Sequence, residues 1–326
     1  MRIAIATALL LAACAGPPPE NTDEPSRDAV VPAATPDASG PPPTTGAGAA
    51  PEPEPPAPPP KPSPIELRAG EVLDSIAAGA SAGERPYRWL EGPAEELLAQ
   101  RIAPPDGYPR IPAEPGSFAD WLRYLPLKPA GSPVLLHTGE PKARNDVHAA
   151  VVDLDVGARD LQQCADAVMR LRAEYLYSAD REVDVCFRSV RGEKLRWRGS
   201  GFRSFGRYLD KVFGVANSAS LYREMIPVAS GRAVEIGDVL IEPASRGAYG
   251  HAVILVDAAE SAAGERVFLL AQSYMPAQET HVLENPREPE IAPWYRIAPT
   301  AAIRTPEWAF PERSLRRFAE KGCPAL

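Results

Sequence analysis

The chain has 326 residues and a net charge of −8, from 43 acidic and 35 basic side chains. That balance argues against a nucleic-acid partner. Beyond the first dozen residues no apolar run reaches the roughly 20 residues a bilayer-spanning helix needs, and no internal repeat is present.

Met1-Arg2 leads into an apolar run from Ile3 to Leu11, then Leu11-Ala12-Ala13-Cys14. A short basic end, a short apolar stretch and small residues before a cut site are the parts of an export signal. The tetrad resembles the bacterial lipobox. It implies a signal peptide over 1–13, acylation of the Cys14 thiol and Cys14 as the new amino terminus. Two or three acyl chains on one residue anchor stably where a single chain does not. The alternative is an ordinary secretory signal with an incidental cysteine. Ala15, rather than Asp, resembles the pattern sorted to the outer membrane, which would leave the rest of the chain in the periplasm. Residues 14–64 read as a disordered Pro-rich linker, as in Pro51-Glu-Pro-Glu-Pro-Pro-Ala-Pro-Pro-Pro60. Too few large apolar groups are present to offset ordering entropy, and the chain prefers extended polyproline II. It is either a spacer or a neutral insert.

Residues 65–326 have globular composition, and their length fits one large domain or two small ones. The part up to about 145 reads as an irregular, Pro-rich extension. Within it, Ser117 with Asp120 three residues later marks a helix start, which stops at Pro126. A strand is expected over 145–156 by alternation, and a helix over 161–177 with Asp160 and Gln163 as its capping box. Cys164 then lies in the first helical turn, on the apolar stripe Leu161, Cys164, Ala165, Val168, Leu171 and Tyr175. A strand near 183–187 and helices near 208–215 and 220–226 follow. Three β segments close the pattern: 233–241, 250–257 and 267–274, the last two joined by a hairpin loop containing Gly264. A strand, then helices, then an antiparallel sheet makes an α+β fold.

With Cys14 assigned to lipid, Cys164, Cys186 and Cys323 leave an odd count in an oxidising compartment. Cys186 and Cys323 can pair, although sequence separation does not show the geometry. Cys164 is the chemical candidate. Helix amino ends stabilise thiolate, lower the thiol pKa and present N–H groups to an oxyanion, so Cys164 is expected to react faster than an ordinary thiol. Gln163 could add a side-chain donor. The ordinary alternative is a buried structural cysteine. Among His137, His148, His251 and His281, His251 is best placed as base, with His148 second. If Val256 pairs with Phe268, His251 faces Ser273; a slip of one residue makes it face Gln272. Either could hold the imidazole tautomer as the third member of a triad does, and Asp257 is a weaker orienter. No i,i+4 or CxxC ligand pattern supports a metal site, and no cofactor motif is present.

Gly237-Asp238-Val239, Gly250-His251-Ala-Val-Ile-Leu-Val256 and Ala271-Gln272-Ser273-Tyr274, with Gln163-Cys164-Ala165 before them, resemble CHAP-type, papain-like cysteine amidases. The resemblance implies a Cys-bearing helix packed on a His-bearing antiparallel sheet, with Cys164 as nucleophile and His251 as base. That family often carries an acid or Asn at the third position, where this chain offers Gln272. A longer resemblance takes in Asp160 to Leu176, Gly250-His-Ala-Val-Ile, Leu270 to Gln278, Pro293-Trp-Tyr295 and Thr305-Pro-Glu-Trp308. These look like a family of bacterial secreted lipoproteins known only as domain of unknown function number 4846. It implies no reaction.

Two functions follow as expectations. The first is a thiol hydrolase or acyl transferase on amide bonds of the cell envelope, peptidoglycan peptides foremost, with Cys164, His251 and Gln272 catalytic and Gln163 and Ser273 in support. It requires Cys164 and His251 close together at the floor of an accessible cleft. The second is a non-catalytic envelope lipoprotein that binds a wall polymer or a protein, with Cys164 buried. A basic run from Arg188 to Lys211 could also hold an anionic polymer or a substrate carboxylate, although a solvated face is the commoner cause of such runs.

Overall fold

The computed structural model describes residues 87–92 and 94–324, all within the unit that runs from Lys61 to Leu326. The expected signal peptide, Cys14 and the linker over 14–64 lie outside the described residues. In chain order the elements begin with helices α1 (Leu98–Arg101) and α2 (Phe118–Arg123) and strand β1 (His148–Val151). Ser117 caps α2 as expected, its Oγ accepting from the Asp120 amide at 3.2 Å. Helix α3 (Cys164–Ser178), hairpin strands β2 (Cys186–Arg188) and β3 (Lys194–Arg196), and helices α4 (Phe202–Phe213) and α5 (Ser218–Glu224) follow. The remainder is strands: β4 (Ile226–Pro227), β5 (Val239–Glu242), β6 (His251–Glu260), β7 (Arg266–Gln272), β8 (His281–Leu283), β9 (Tyr295–Arg296), β10 (Ile303–Arg304), β11 (Ala309–Phe310) and β12 (Leu315–Arg317).

The main sheet has the order β1-β8-β7-β6-β5-β12-β4, with β9 added along β7, and every pair is antiparallel. Helices and an antiparallel sheet make the α+β class read from the sequence. Strand β6 lies at its centre and is buried from His251 to Ala259. Alternation along it divides two cores. Ala252, Ile254 and Val256 join Leu122 of α2 and Val168 and Leu171 of α3 in the larger core. Val253 and Leu255 join Leu240, Leu270, Ile303 and Phe310 in a second core that includes the β10–β11 hairpin. Each of these Val, Leu, Ile and Phe side chains contributes about 1.5–3 kcal/mol on full burial, so covering both faces holds the long strand in place.

The β6–β7 register departs from the simple hairpin. Ile254 pairs with Ala271 and Leu255 with Leu270, but the next pair is Asp257 with Leu269, which leaves Val256 as a bulge residue. Neither sequence register therefore holds. Continuing the observed pairing puts Tyr274, not Ser273 or Gln272, opposite His251. Asp257 is not an orienter either. It is fully buried, and its carboxylate accepts from Arg110 Nε and Arg123 Nε, each at 2.7 Å, and from the Ala258 amide at 2.8 Å. Cys186 and Cys323 form a disulfide that ties β2 to the C-terminal tail. Beside it, a Cβ on Gly322 would lie 2.5 Å from the Asp184 carbonyl oxygen and 2.6 Å from that of Cys186, so the close approach of the tail depends on glycine.

Candidate active site

Helix α3 begins at Cys164, three residues later than the pattern suggested, because the capping acid is Asp166. Its Oδ2 accepts from the Gln163 amide at 3.1 Å. Asp160 acts elsewhere. Its Oδ1 accepts from Gln163 Nε2 at 2.9 Å and from the Ala277 amide at 2.7 Å, pinning the loop before α3 to the loop after β7. The Gln163 side-chain amide thereby gives one of its two N–H groups to Asp160. Ser273 is likewise a positioning residue. Its Oγ lies 2.7 Å from the Gln278 carbonyl and 3.3 Å from that of Gln162, so its one proton is shared between backbone acceptors.

The Cys164 thiol rests against the backbone on either side of His251. Sγ lies 3.9 Å from the Gly250 carbonyl oxygen, and the Ala252, Ala165 and Cys164 amides act to lower its pKa. Only glycine fits at 250, since a Cβ there would come within 2.3 Å of both the Glu242 carbonyl and Ser218 Oγ. The amides do not win. Burial first, and the neighbouring Asp166 second, push the thiol up to about 11. Cys164 is 5% exposed, so desolvation of the thiolate outweighs the helix amino end. The reactive thiolate expected from sequence is a neutral thiol in this structure.

Iodoacetamide labelling, read on the Cys164 peptide at neutral pH, is therefore expected to run roughly a hundredfold or more slower than that of a small-molecule thiol. The rate should still be climbing at pH 10. Asp166→Asn keeps an oxygen for the Gln163 amide but removes the charge, and should move the profile to lower pH. A plateau near pH 8.5, as for a free thiol, would contradict this account.

His251 is held by a defined network. Its Nε2 lies 2.8 Å from Gln272 Oε1. Gln272 Nε2 donates to Glu307 Oε2 at 2.8 Å and lies 3.4 Å from His281 Nε2. Glu307 Oε2 also accepts from Lys142 Nζ at 2.6 Å. The His281 Nδ1 contacts the Glu279 carbonyl at 2.9 Å. The carboxylate accepts only, so it fixes the Gln272 amide with Oε1 toward His251. His251 must then carry its proton on Nε2, which leaves the Nδ1 lone pair free. That Nδ1 is buried and has no hydrogen-bond partner.

Tyr274, Trp308 and Phe310 wall the ring, with centroids at 4.9, 5.0 and 5.8 Å. Tyr274 and Trp308 are themselves partly exposed, whereas His251 is fully buried and its pKa is lowered by that burial to about 4. Cys164 and His251 are thus neighbours along β6, but the thiol belongs to the α3 core and the ring stands among the aromatics of the other core. No hydrogen bond joins them. His148 is engaged elsewhere, its Nε2 lying 3.1 Å from the Ser132 carbonyl, and His137 Nδ1 lies 3.3 Å from that of Ala277.

Sequence reasoning missed Glu307 and Lys142. Glu307 was visible only as part of Thr305-Pro-Glu-Trp308, and Lys142 stands in a loop without periodicity; the two side chains are 165 residues apart in the chain. Among the described residues no group of three or more His, Cys, Asp or Glu side chains could hold a metal ion, and no helix is long and apolar enough to cross a membrane.

The chain matches the family model described as Domain of unknown function (4846) over residues 98–201 and 198–317. No curated protein and no solved structure matches it. The matched stretches take in Cys164 on one side and His251, Gln272 and Glu307 on the other. The chain belongs to the family known as domain of unknown function 4846.

Proposed function

We propose that this is a lipid-anchored envelope protein whose α+β domain, residues 65–326, carries a papain-like thiol site acting on amide bonds, with peptidoglycan peptides as the substrate class. The observation that carries the reading is the tautomer lock: Glu307 orients Gln272, Gln272 engages His251 Nε2, and the free Nδ1 belongs to a residue whose flanking backbone holds the Cys164 thiol. A base needs just such a fixed tautomer with an available lone pair. The lipobox-like Leu11-Ala-Ala-Cys14 supports anchoring, and the Cys186–Cys323 disulfide is in keeping with an oxidising compartment such as the periplasm.

Because thiol and imidazole are both neutral at rest, the reaction starts without an ion pair. As Sγ attacks the amide carbonyl, its proton passes to His251 Nδ1, and the main-chain amide of Cys164, without an intrahelical acceptor at the first position of α3, faces the oxyanion. The C–N bond breaks, the amine leaves with the proton from Nδ1, and a thioester remains on Cys164. Water then gives a proton to Nδ1 and attacks the thioester. The C–S bond breaks, the acid departs and the thiol regains its proton; an amine in place of water completes acyl transfer. The ring and thiol must close on each other, and their cover must open, when substrate binds. Catalytic hydrogen bonds often tighten only in the substrate complex.

One observation favours a second reading, a non-catalytic envelope lipoprotein that binds a wall polymer or a protein. Cys164 and His251 are 5% and 0% exposed, which is not the floor of an open cleft. Trapping separates the two. The full-length chain is incubated with a peptidoglycan-derived peptide, quenched in acid and weighed intact. The hydrolase reading expects an acyl adduct on Cys164, absent from Cys164→Ala and His251→Ala. An unmodified wild type with intact peptide would favour the binding reading.

A further inference from the structure

We propose that the groove between β3 and α4 is a binding site for an anionic glycan, a linear polymer bearing acid groups on successive sugars. The groove has a volume of about 320 Å³ and is lined by Lys194, Leu195, Arg196, Arg198, Tyr208 and Lys211. Lys194 and Arg196 project from the same side of β3, about 7 Å apart at the two-residue repeat of a strand. Opposite them, Lys211 of α4 lines the groove, and Arg203 and Arg207 precede it at four-residue intervals, which continues the positive charge along one helix face beyond the groove. All of these cations are exposed. Between residues 194 and 211 six basic side chains stand against one acid, Asp210, in a chain whose total charge is −8. Asp210 is ion-paired with Arg159, and among the described residues none of the six has an ion-pair partner.

Mutual repulsion of unpaired cations disfavours this arrangement unless an anion occupies it. What sets this run apart is its density: Arg296, by contrast, stands among Glu265, Glu288 and Glu290 and pairs with all three. The lining also decides between polyanions. A nucleic acid would call for open aromatic faces on which to stack bases. Here Trp197 packs on Phe205 and Tyr208 at 5.4 and 5.6 Å, and the Tyr208 hydroxyl donates to the Leu195 carbonyl at 2.8 Å. A bilayer would call for an apolar projection, yet none of the exposed large apolar side chains lines this concave groove. A flexible acidic glycan can place successive charges against several cations at once. The site does not depend on the thiol reading.

The test uses the full-length chain and fluorescently labelled polygalacturonate oligomers, with binding followed by anisotropy at 50 and 200 mM salt, roughly the range over which multi-contact polyanion binding changes most. Arg196→Ala/Arg198→Ala/Lys211→Ala is expected to weaken binding by about tenfold or more and to flatten the salt dependence by close to three charges. The control Arg232→Ala/Arg246→Ala/Arg304→Ala makes the same charge change at exposed positions outside the groove and should stay within about twofold of wild type, the range left to untargeted screening. Galacturonate monomer should compete poorly. Equal loss in both triple variants would overturn the proposal. So would undetectable wild-type binding, or groove-dependent binding to phosphatidylglycerol vesicles without binding to the oligomer.

Discussion

Replacing Cys186 and Cys323 together by alanine is expected to lower the unfolding free energy by about 4 kcal/mol, the scale for a long closed loop. The bridge joins residues 137 apart, so it restricts the unfolded chain over nearly the whole span from the β2–β3 hairpin to the last strand. It also fastens the tail that lies on β2, where Gly322 permits close contact with Asp184 and Cys186. Urea unfolding of wild type and variant, each with and without reductant, measures the effect. Reductant should shift the wild-type midpoint and leave that of the variant unchanged. A difference under about 1 kcal/mol between the oxidised wild type and the variant would mean that the bridge is not the constraint loop closure predicts.

Asp257→Ala is expected to cost about 3–5 kcal/mol, the usual loss when one partner of a buried ion pair is removed. Asp257 is 0% exposed and accepts from both Arg110 and Arg123. The same arginines continue outward, Arg110 to the Ile102 carbonyl at 2.5 Å and Arg123 to that of Ile111 at 2.7 Å. One carboxylate on β6 thus gathers α2 and the irregular chain before it onto the sheet. The single substitution strands the buried Arg123 charge, so the loss should exceed that of a surface pair, for which about 1 kcal/mol is already high. A double variant, Asp257→Leu/Arg123→Met, should recover much of the stability, because two apolar side chains carry no desolvation cost. Chemical denaturation of the two variants is the measurement. A single variant within about 1 kcal/mol of wild type, or a double variant worse than the single, would refute the clamp.

These two anchors show what the sequence did and did not reveal. The α+β order, the two long strands β6 and β7 and the Ser117 cap were legible because each is written in local periodicity or capping chemistry, whereas the segment expected over 233–241 is a strand only from Val239 to Glu242. The start of α3 was misplaced by three residues because both Asp160 and Asp166 satisfy a capping pattern; only the tertiary bond from Asp160 to Ala277 decides between them. The β6–β7 register was not legible, since the bulge at Val256 leaves the apolar run unbroken in sequence. Gln272 is the partner of His251, and Cys164 touches the backbone beside it, but the thiol and the imidazole stand in different cores. Their electrostatics could not be read in advance. A helix amino end is a local property, whereas the burial that raises the Cys164 pKa to about 11 comes from distant chain packed over it. Glu307 escaped for the same reason, because its tie to Gln272 spans 35 residues with no pattern in between.

The site therefore combines an imidazole of fixed tautomer with a thiol that is protonated and enclosed at rest. Such a combination suits an enzyme that exposes its nucleophile only when substrate displaces the cover, with Tyr274 and Trp308 the partly exposed walls beside His251. It would also suit a scaffold that has kept the network for packing alone. Product formation tells the two apart, whereas the resting reactivity of the thiol does not.

The most direct measurement is incubation of the full-length protein with purified peptidoglycan sacculi, beside Cys164→Ala and His251→Ala, with released peptides and new amino termini identified by mass spectrometry. The account predicts new cleavage or transfer products with the wild type and none with either variant. The same products from Cys164→Ala as from the wild type, or no products from the wild type, would contradict it.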